Sequence, residues 1–459
     1  MSTPIEAIEA YLERTKDERL EEYIEFLQIP TIGSLPEHAD DMARGAEWMA
    51  RKLRDTGMEN VDISPTGGNP VVYADWLHAE GAPTIVVYAH YDVQPVDPLD
   101  LWVRPPFEPR VENGRIYARG AADDKGQIHL HLWAARAWME TEGRLPVNIR
   151  YVFEGEEEDG SPNFEAWLKA NTARLGGDLV VVTDTGFYEG NHPALTVSLR
   201  GNTYFQIDVT GPSQDLHSGG FGGMVQNPAN ALIRIMASLR DGEGRVTVPG
   251  FYDDAPVLSA DERAEFERLP FDEAEFAEAI GVPELFGEPE YGPLERKGMR
   301  PTLDVCGMWA GFTGEGSKTI IPAHAHAKFS CRLAPGMDPN KTFERVRDAI
   351  MAVDVPGVEV EVRQLDEMWP FVVSPEHPAA QTAAACLRDV FGKDPYYIYE
   401  GGSIGAVASF DKVLQLPIVM LGFVNPDCNA HSPNESMVLE NYEGGARTIA
   451  RYWEALAQR

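Results

Sequence analysis

Five short stretches of this 459-residue chain carry side chains that bind divalent cations or move protons. They are 86–92 with His90 and Asp92, 120–126 with Asp123 and Asp124, 153–161 with Glu156, Glu157 and Glu158, 181–185 with Asp184, and 429–433 with His431. Carboxylates mixed with imidazoles are the ligands of divalent cations, and a spare carboxylate beside them can serve as a base toward water. Together the five stretches could build a two-metal hydrolase site.

Each stretch has a blander explanation when taken alone. His90 and Asp92 stand two apart on an extended segment and so share a side, yet such a pair is often a satisfied structural contact. Asp123 and Asp124 open a helix, where acids commonly cap the free N–H groups; placed in a crevice, Asp123 could instead bridge two cations. Three adjacent carboxylates, Glu156 to Glu158, repel one another unless water or cations screen them. Following a buried strand and preceding Gly160-Ser161-Pro162, they face a crevice, where one can bind metal while its neighbour takes a proton from water. Asp184 and His431 alone read as turn residues. The inference rests on the coincidence of all five.

Four of the five stretches follow apolar runs that read as buried strands, and α/β sheets gather ligands at the carboxyl ends of neighbouring strands. Helices are expected over 5–29 and 40–56, strands over 71–76 and 84–89, a helix over 126–142, a strand over 147–153, a helix over 163–172 and a strand over 179–183. This alternation predicts an α/β fold, a mostly parallel sheet covered by helices on both faces. From about Leu199 the pattern changes: strands over 203–210, 327–333 and 358–363 and a helix over 227–240 suggest an inserted α+β domain with an antiparallel sheet. Its segment 253–293 is acidic and reads as loop. Near Pro378 the first pattern resumes, with a strand over 416–423 and a helix over 442–457. The expected organisation is a discontinuous domain, 1–199 and 378–459, interrupted by an insert, 200–377.

Composition narrows the partners. The chain has 39 basic and 73 acidic side chains, a formal charge of −34, which repels nucleic acid and anionic membranes. Hydrophobic residues make up 43%, enough for large cores. No apolar run reaches membrane-spanning length. Four dispersed cysteines read as small buried hydrophobes in a reducing compartment, so a soluble cytoplasmic protein is expected.

Taken together, the motifs resemble the M20 family of dimetal exopeptidases, in particular its non-specific dipeptidase and carnosinase-like branch. The resemblance implies two divalent metal ions per subunit, Zn²⁺ first, with Mn²⁺ or Co²⁺ as the other candidates. It makes His90, Asp123, Glu158, Asp184 and His431 the ligands, with Asp123 bridging and often followed by a cis peptide. Glu157 becomes the general base and Asp92 the residue that orients a ligand. In the insert, Asp215-Leu216-His217-Ser218-Gly219 is similar to the family's D-L-H-S-G motif, which implies that His217 stabilises the oxyanion in the partner subunit of a homodimer. Arg332, Thr319 and the loop with Gly402 and Ser403 match positions that hold the substrate carboxylate. The implied activity is hydrolysis of a dipeptide, or of a short peptide with a free C-terminal carboxylate. A deacylase or desuccinylase of N-acyl amino acids is the alternative on the same machinery, and a non-catalytic metal-stabilised binding protein the rival of another class. A glycosidase built on paired carboxylates leaves His90 and His431 unexplained.

Overall fold

The computed structural model describes residues 4–459, which form two compact units. The first runs to Val197 and resumes over Val373–Ile398 and Ile404–Arg459; the second comprises Ser198–Val372 and Tyr399–Ser403.

The first unit is built on β1 (Glu59–Ser64), β2 (Val71–Trp76), β3 (Thr84–His90), β4 (Asn148–Glu154), β5 (Leu179–Val182), β6 (Ala194–Leu199) and β7 (Ile418–Met420), in the spatial order β1-β2-β4-β3-β5-β7-β6. The central strands β4, β3, β5 and β7 are mutually parallel, and the flanking pairs are antiparallel. β2 and β5 are buried at every position. That explains their mostly apolar sequences, interrupted in β2 only by Asp75, whose carboxylate accepts from Tyr73 and Asn60: a strand covered on both faces has no solvent side to mark with polar residues.

Alternate residues supply two cores. On one face, Ile85, Val87 and Ala89 pack with Ile149, Tyr151 and Phe153 beneath helices Lys125–Glu142 and Leu439–Ala457. Helix Lys125–Glu142 is buried nearly all round, so apolar residues occupy most of its positions rather than one stripe. On the other face, Tyr88 meets Phe164 and Phe410, at ring-centroid distances of 5.4 Å each. These aromatics belong to helices Phe164–Asn171 and Gly405–Leu414.

The second unit holds four antiparallel strands in the order Asp304–Ala310, His324–Leu333, Gly201–Thr210, Glu359–Met368. Gly201–Thr210 alternates buried and half-buried residues along its length, the signature of one covered face. Phe205 stands opposite Phe329 with ring centroids 4.5 Å apart, and helices Pro228–Ala237 and Pro339–Met351 contribute Leu232, Ile235, Val346 and Ile350 to this core.

Several elements differ from expectation. The N-terminal helix is two, Pro4–Arg14 and Lys16–Leu27, and the acidic segment read as loop contains helices Ala260–Glu267 and Glu273–Ala279. Ser259 closes a capping box with Glu262 and Asp272 caps the second, so the polar residues that suggested loop are helix starts. Asp304–Ala310 was not expected as a strand: it lies at a sheet edge, mostly exposed, with no alternation to reveal it. Cys306 on it is exposed, contrary to the reading of all four cysteines as buried; all four are free thiols. No helix among the described residues is long and apolar enough to cross a membrane.

Removing the Phe410 ring, which is fully buried against Tyr88 and Phe164, is expected to cost about 3–5 kcal/mol. A Phe410→Ala protein should show a clearly lower urea midpoint by tryptophan fluorescence, whereas an unchanged midpoint would contradict the packing described.

Candidate dimetal centre

Because β3, β4, β5 and β7 are parallel, their carboxyl ends open on one edge, and the segments leaving them carry His90, Glu156–Glu158, Asp184 and, farther on, His431. Asp123 arrives by a separate route. The strand before it, Arg115–Tyr117, lies outside the main sheet, in a small antiparallel sheet with Arg110–Glu112 and Ser436–Val438. From there the chain turns through a cis Asp123–Asp124 peptide into helix Lys125–Glu142.

Asp123 stands between the two imidazoles. Its Oδ1 lies 3.0 Å from His90 Nε2 and its Oδ2 2.9 Å from His431 Nε2. His90 Nε2 is also 3.8 Å from Asp184, and His431 Nε2 is 3.1 Å from Glu158. Two groups could each hold a cation, His90 with Asp124 and Asp184, and Asp123 with Glu158 and His431; within each, the donor atoms lie within 4.8 Å of one another. The sequence offered Asp124 only as a helix cap and did not place it among the ligands. Its carboxylate makes no cap for its helix; it accepts the His90 backbone N–H at 3.2 Å and the Gln127 side-chain amide at 2.8 Å. His90 is wholly buried, while His431 is 56% exposed and forms the open rim. A cavity of about 270 Å³ beside them is lined by Asp123, Asp184, Gln127 and Asn425 among others.

The surrounding hydrogen bonds fix orientation. His90 Nδ1 donates to the Asp92 backbone carbonyl at 3.1 Å, which leaves Nε2 as the cation-facing nitrogen. The Asp92 carboxylate accepts the backbone N–H groups of Glu157 at 3.2 Å and Glu158 at 3.0 Å. It thereby holds the tight turn Glu157–Asp159, which Gly160 closes at φ +85°, a conformation that favours glycine. Glu158 also receives the Gln94 amide at 2.9 Å. Glu156 turns away, accepting from Asn69 N and the Asn163 amide, each at 2.9 Å.

The electrostatics are strained. Burial pushes the Glu157 carboxyl well above its usual range, and the neighbouring charges of Asp184, Glu158 and Asp123 push the same way against the pull of His90. Burial likewise raises Glu158, Asp184 and Asp124. Burial opposes protonation of His90, but its bonds to Asp123, Asp184 and Asp92 outweigh it and raise its pKa well above the ordinary value. Hydrogen bonds to Asp123 and Glu158 lift His431 to about 10. Among the described residues no lysine or arginine pairs with Asp123, Asp124, Glu157, Glu158 or Asp184; Lys125 Nζ is spent on the Phe26 and Ile29 carbonyls. So many acids and two imidazoles without a fixed cation are a donor set that fits divalent metal.

The other residues singled out from the sequence belong to the second unit. His217 lies in a two-stranded ribbon, Leu216–His217 with Ile320–Ile321; it is exposed, and the Thr319 carbonyl accepts Ser218 N at 3.0 Å. His217 Nδ1 accepts the Gly219 N–H at 3.0 Å, so Nε2 carries the proton and points a donor outward. Arg332 Nη1 donates to Ser403 Oγ at 3.1 Å, and the Gly402 carbonyl accepts Arg200 N at 3.1 Å.

Comparison with known proteins identifies the family. The family model for peptidase family M20/M25/M40 matches residues 86–455. The chain belongs to this family. It is 30% identical to the Cys-Gly metallodipeptidase of Schizosaccharomyces pombe, over 100% of this chain and 99% of that protein. The crystal structure of human carnosine dipeptidase 1 superposes with a TM-score of 0.82 at 28% identity, covering both chains completely. An M20 family metallo-carboxypeptidase from Sulfolobus solfataricus gives a TM-score of 0.85 at 31% identity, over 96% of this chain and 100% of that one. Family membership makes this chain a metal-dependent peptidase, a hydrolase of peptide bonds using divalent ions.

Since both imidazoles hold protons in the cation-free protein, metal must displace them. Apparent affinity should rise with pH from neutrality toward about 10, the value for His431. Calorimetric Zn²⁺ or Mn²⁺ titrations in buffers of different ionisation enthalpy should reveal proton release, with tighter uptake at pH 8 than at pH 6. Binding without proton release would contradict this picture.

Proposed function

We propose that this protein is a dipeptidase whose general base is Glu157, a reading carried by the convergence of His90, Asp123, Asp124, Glu158, Asp184 and His431 around a partly buried glutamate. The whole-length similarity to metallodipeptidases supports dipeptides as the substrate class. His90 with Asp184, and Glu158 with His431, would hold two divalent ions, with Asp123 within reach of both groups and Asp124 an additional donor on the His90 side. Zn²⁺ suits the mixed imidazole and carboxylate set, with Mn²⁺ and Co²⁺ as alternatives that availability decides. Bound there, the ions supply Lewis acidity toward a carbonyl and lower the pKa of water.

The chain's own residues do the rest. Glu157 accepts the proton of the attacking water and returns it to the leaving amine; its upward-shifted pKa favours holding that proton between the two transfers. Asp92 keeps Glu157 and Glu158 in place through their backbone N–H groups. His217 offers its Nε2–H to the developing oxyanion. Arg332, with Thr319 and the Gly402–Ser403 loop, anchors the substrate's C-terminal carboxylate; Arg332 provides the planar donor fork that such a group takes.

His217 acts from a second copy of the chain in a homodimer formed through the second unit. Support comes from its two sheet edges. Glu359–Met368 carries Glu359, Glu361, Arg363, Asp366 and Glu367, charges that deter pairing, whereas Asp304–Ala310 exposes Val305, Met308 and Trp309 along an unpaired edge. A cytoplasmic location accords with four free thiols.

Glu157→Gln should lower kcat by about 10²- to 10⁴-fold while metal uptake persists; unchanged turnover would refute the mechanism. Release of amino acids from a panel of dipeptides and their N-acetylated counterparts, using metal-stripped and metal-restored protein, tests the substrate class. Metal-dependent cleavage of the free dipeptides alone is expected, and cleavage of only acylated compounds would overturn the assignment. Trp309→Asp should give a monomer by light scattering with activity nearly lost; a fully active monomer would exclude a contribution of His217 across subunits.

A further inference from the structure

Glu435 lies four residues beyond His431 and is wholly buried. Its carboxylate faces four donors. Oε2 accepts from Arg119 Nη1 at 2.7 Å and Gly120 N at 3.0 Å; Oε1 accepts from Ala122 N at 2.8 Å and Asp123 N at 3.0 Å. Its backbone carbonyl also receives Ala118 N at 3.1 Å. The turn from Arg119 to Asp123 is therefore wrapped around this one side chain. Arg119 is itself buried, with its other terminal nitrogen on the Pro95 carbonyl at 3.2 Å, and the Ala121 carbonyl on the outer side of the turn is taken by the Tyr23 hydroxyl.

The position of Glu435 in the topology gives this wrapping a purpose. Tyr117 and Ser436 are the last paired residues of their antiparallel ladder. From that pair one chain leads forward to Asp123 and the other leads back to His431, and the two meet again at the 2.9 Å contact between their side chains. Glu435 fills the space at the start of this closed loop. All four groups around it are donors, so only a side chain that is acceptor at both ends satisfies them. An amide would place its NH₂ against two N–H groups and leave buried donors unpaired.

We propose that Glu435 is a positioning residue for the dimetal centre: its carboxylate is the template that sets the Asp123 carboxylate between His90 and His431, and so sets cation affinity. This rests on the metal reading given above. Glu435 touches neither cation nor substrate and acts only through the Asp123 turn. Loss of such supporting groups typically weakens metal binding by about 10- to 100-fold.

The test compares wild type and Glu435→Gln, both stripped of metal, by calorimetric titration with Zn²⁺ and by the visible spectrum of the Co²⁺-loaded proteins. Circular dichroism and gel filtration check that each is folded. Expected for the variant are a roughly 10- to 100-fold loss of Zn²⁺ affinity, an altered Co²⁺ spectrum, and a kcat that partly recovers as cation is raised while KM changes little. If the glutamine variant does not fold, Glu435→Asp keeps the acceptor-only chemistry one methylene short and should show the same effects in smaller measure. Wild-type affinity and spectrum in a folded variant would overturn the proposal while leaving the metal reading intact. Failure of wild type itself to take up two ions would overturn that reading, and this proposal with it.

Discussion

The constraint on which this structure turns is the gathering of negative charge in a place with little water. Five carboxylates share one crevice with two imidazoles, and no lysine or arginine among the described residues answers them. Burying like charges is costly unless the groups protonate or a cation joins them. The cation-free protein holds the first solution in reserve: the pKa values of its imidazoles are raised, as are those of Glu157, Glu158, Asp184 and Asp124, while Asp123, bonded to both imidazoles, is held below the usual carboxylate range. Divalent ions provide the second. Much of the surrounding architecture then serves to keep the acids from moving apart.

That work falls on backbone groups. Asp92 holds two glutamates by their N–H groups rather than by their charges, and His90 is oriented by a main-chain carbonyl. The parallel strands contribute rigidity: β3 is paired on both sides, with β4 and with β5, so His90 has little freedom to drift. In the second unit, Arg332 is steadied by its bond to the Ser403 hydroxyl.

The parts legible in the sequence were those where local pattern and environment agree. Apolar runs marked β3 and β5, and the metal-capable residues at their ends stood out against that background. Asp123 was legible as a residue but not by its route, because Arg115–Tyr117 is too short to show which sheet it joins. Asp124 resembled a helix cap, and only the folded chain shows its carboxylate turned to His90 and Gln127 instead. Glu435 gave no signal: it sits among Ser432, Pro433 and Asn434, where an acid usually means solvent, and its burial comes from a segment 312 residues or more away in sequence. The strand Asp304–Ala310 was hidden by the absence of a covered face, and the helices of the acidic segment by caps that look like turns.

The link between Asp123 and His431 spans 308 residues of chain. During synthesis, β3, β4 and β5 emerge and can pair early, but β7 and the His431 loop leave the ribosome only after the whole second unit has been made. A nascent chain consequently carries His90, Asp123, Glu158 and Asp184 without the imidazole that completes the rim. The group of Asp123, Glu158 and His431 therefore cannot assemble until the chain has been made past the second unit.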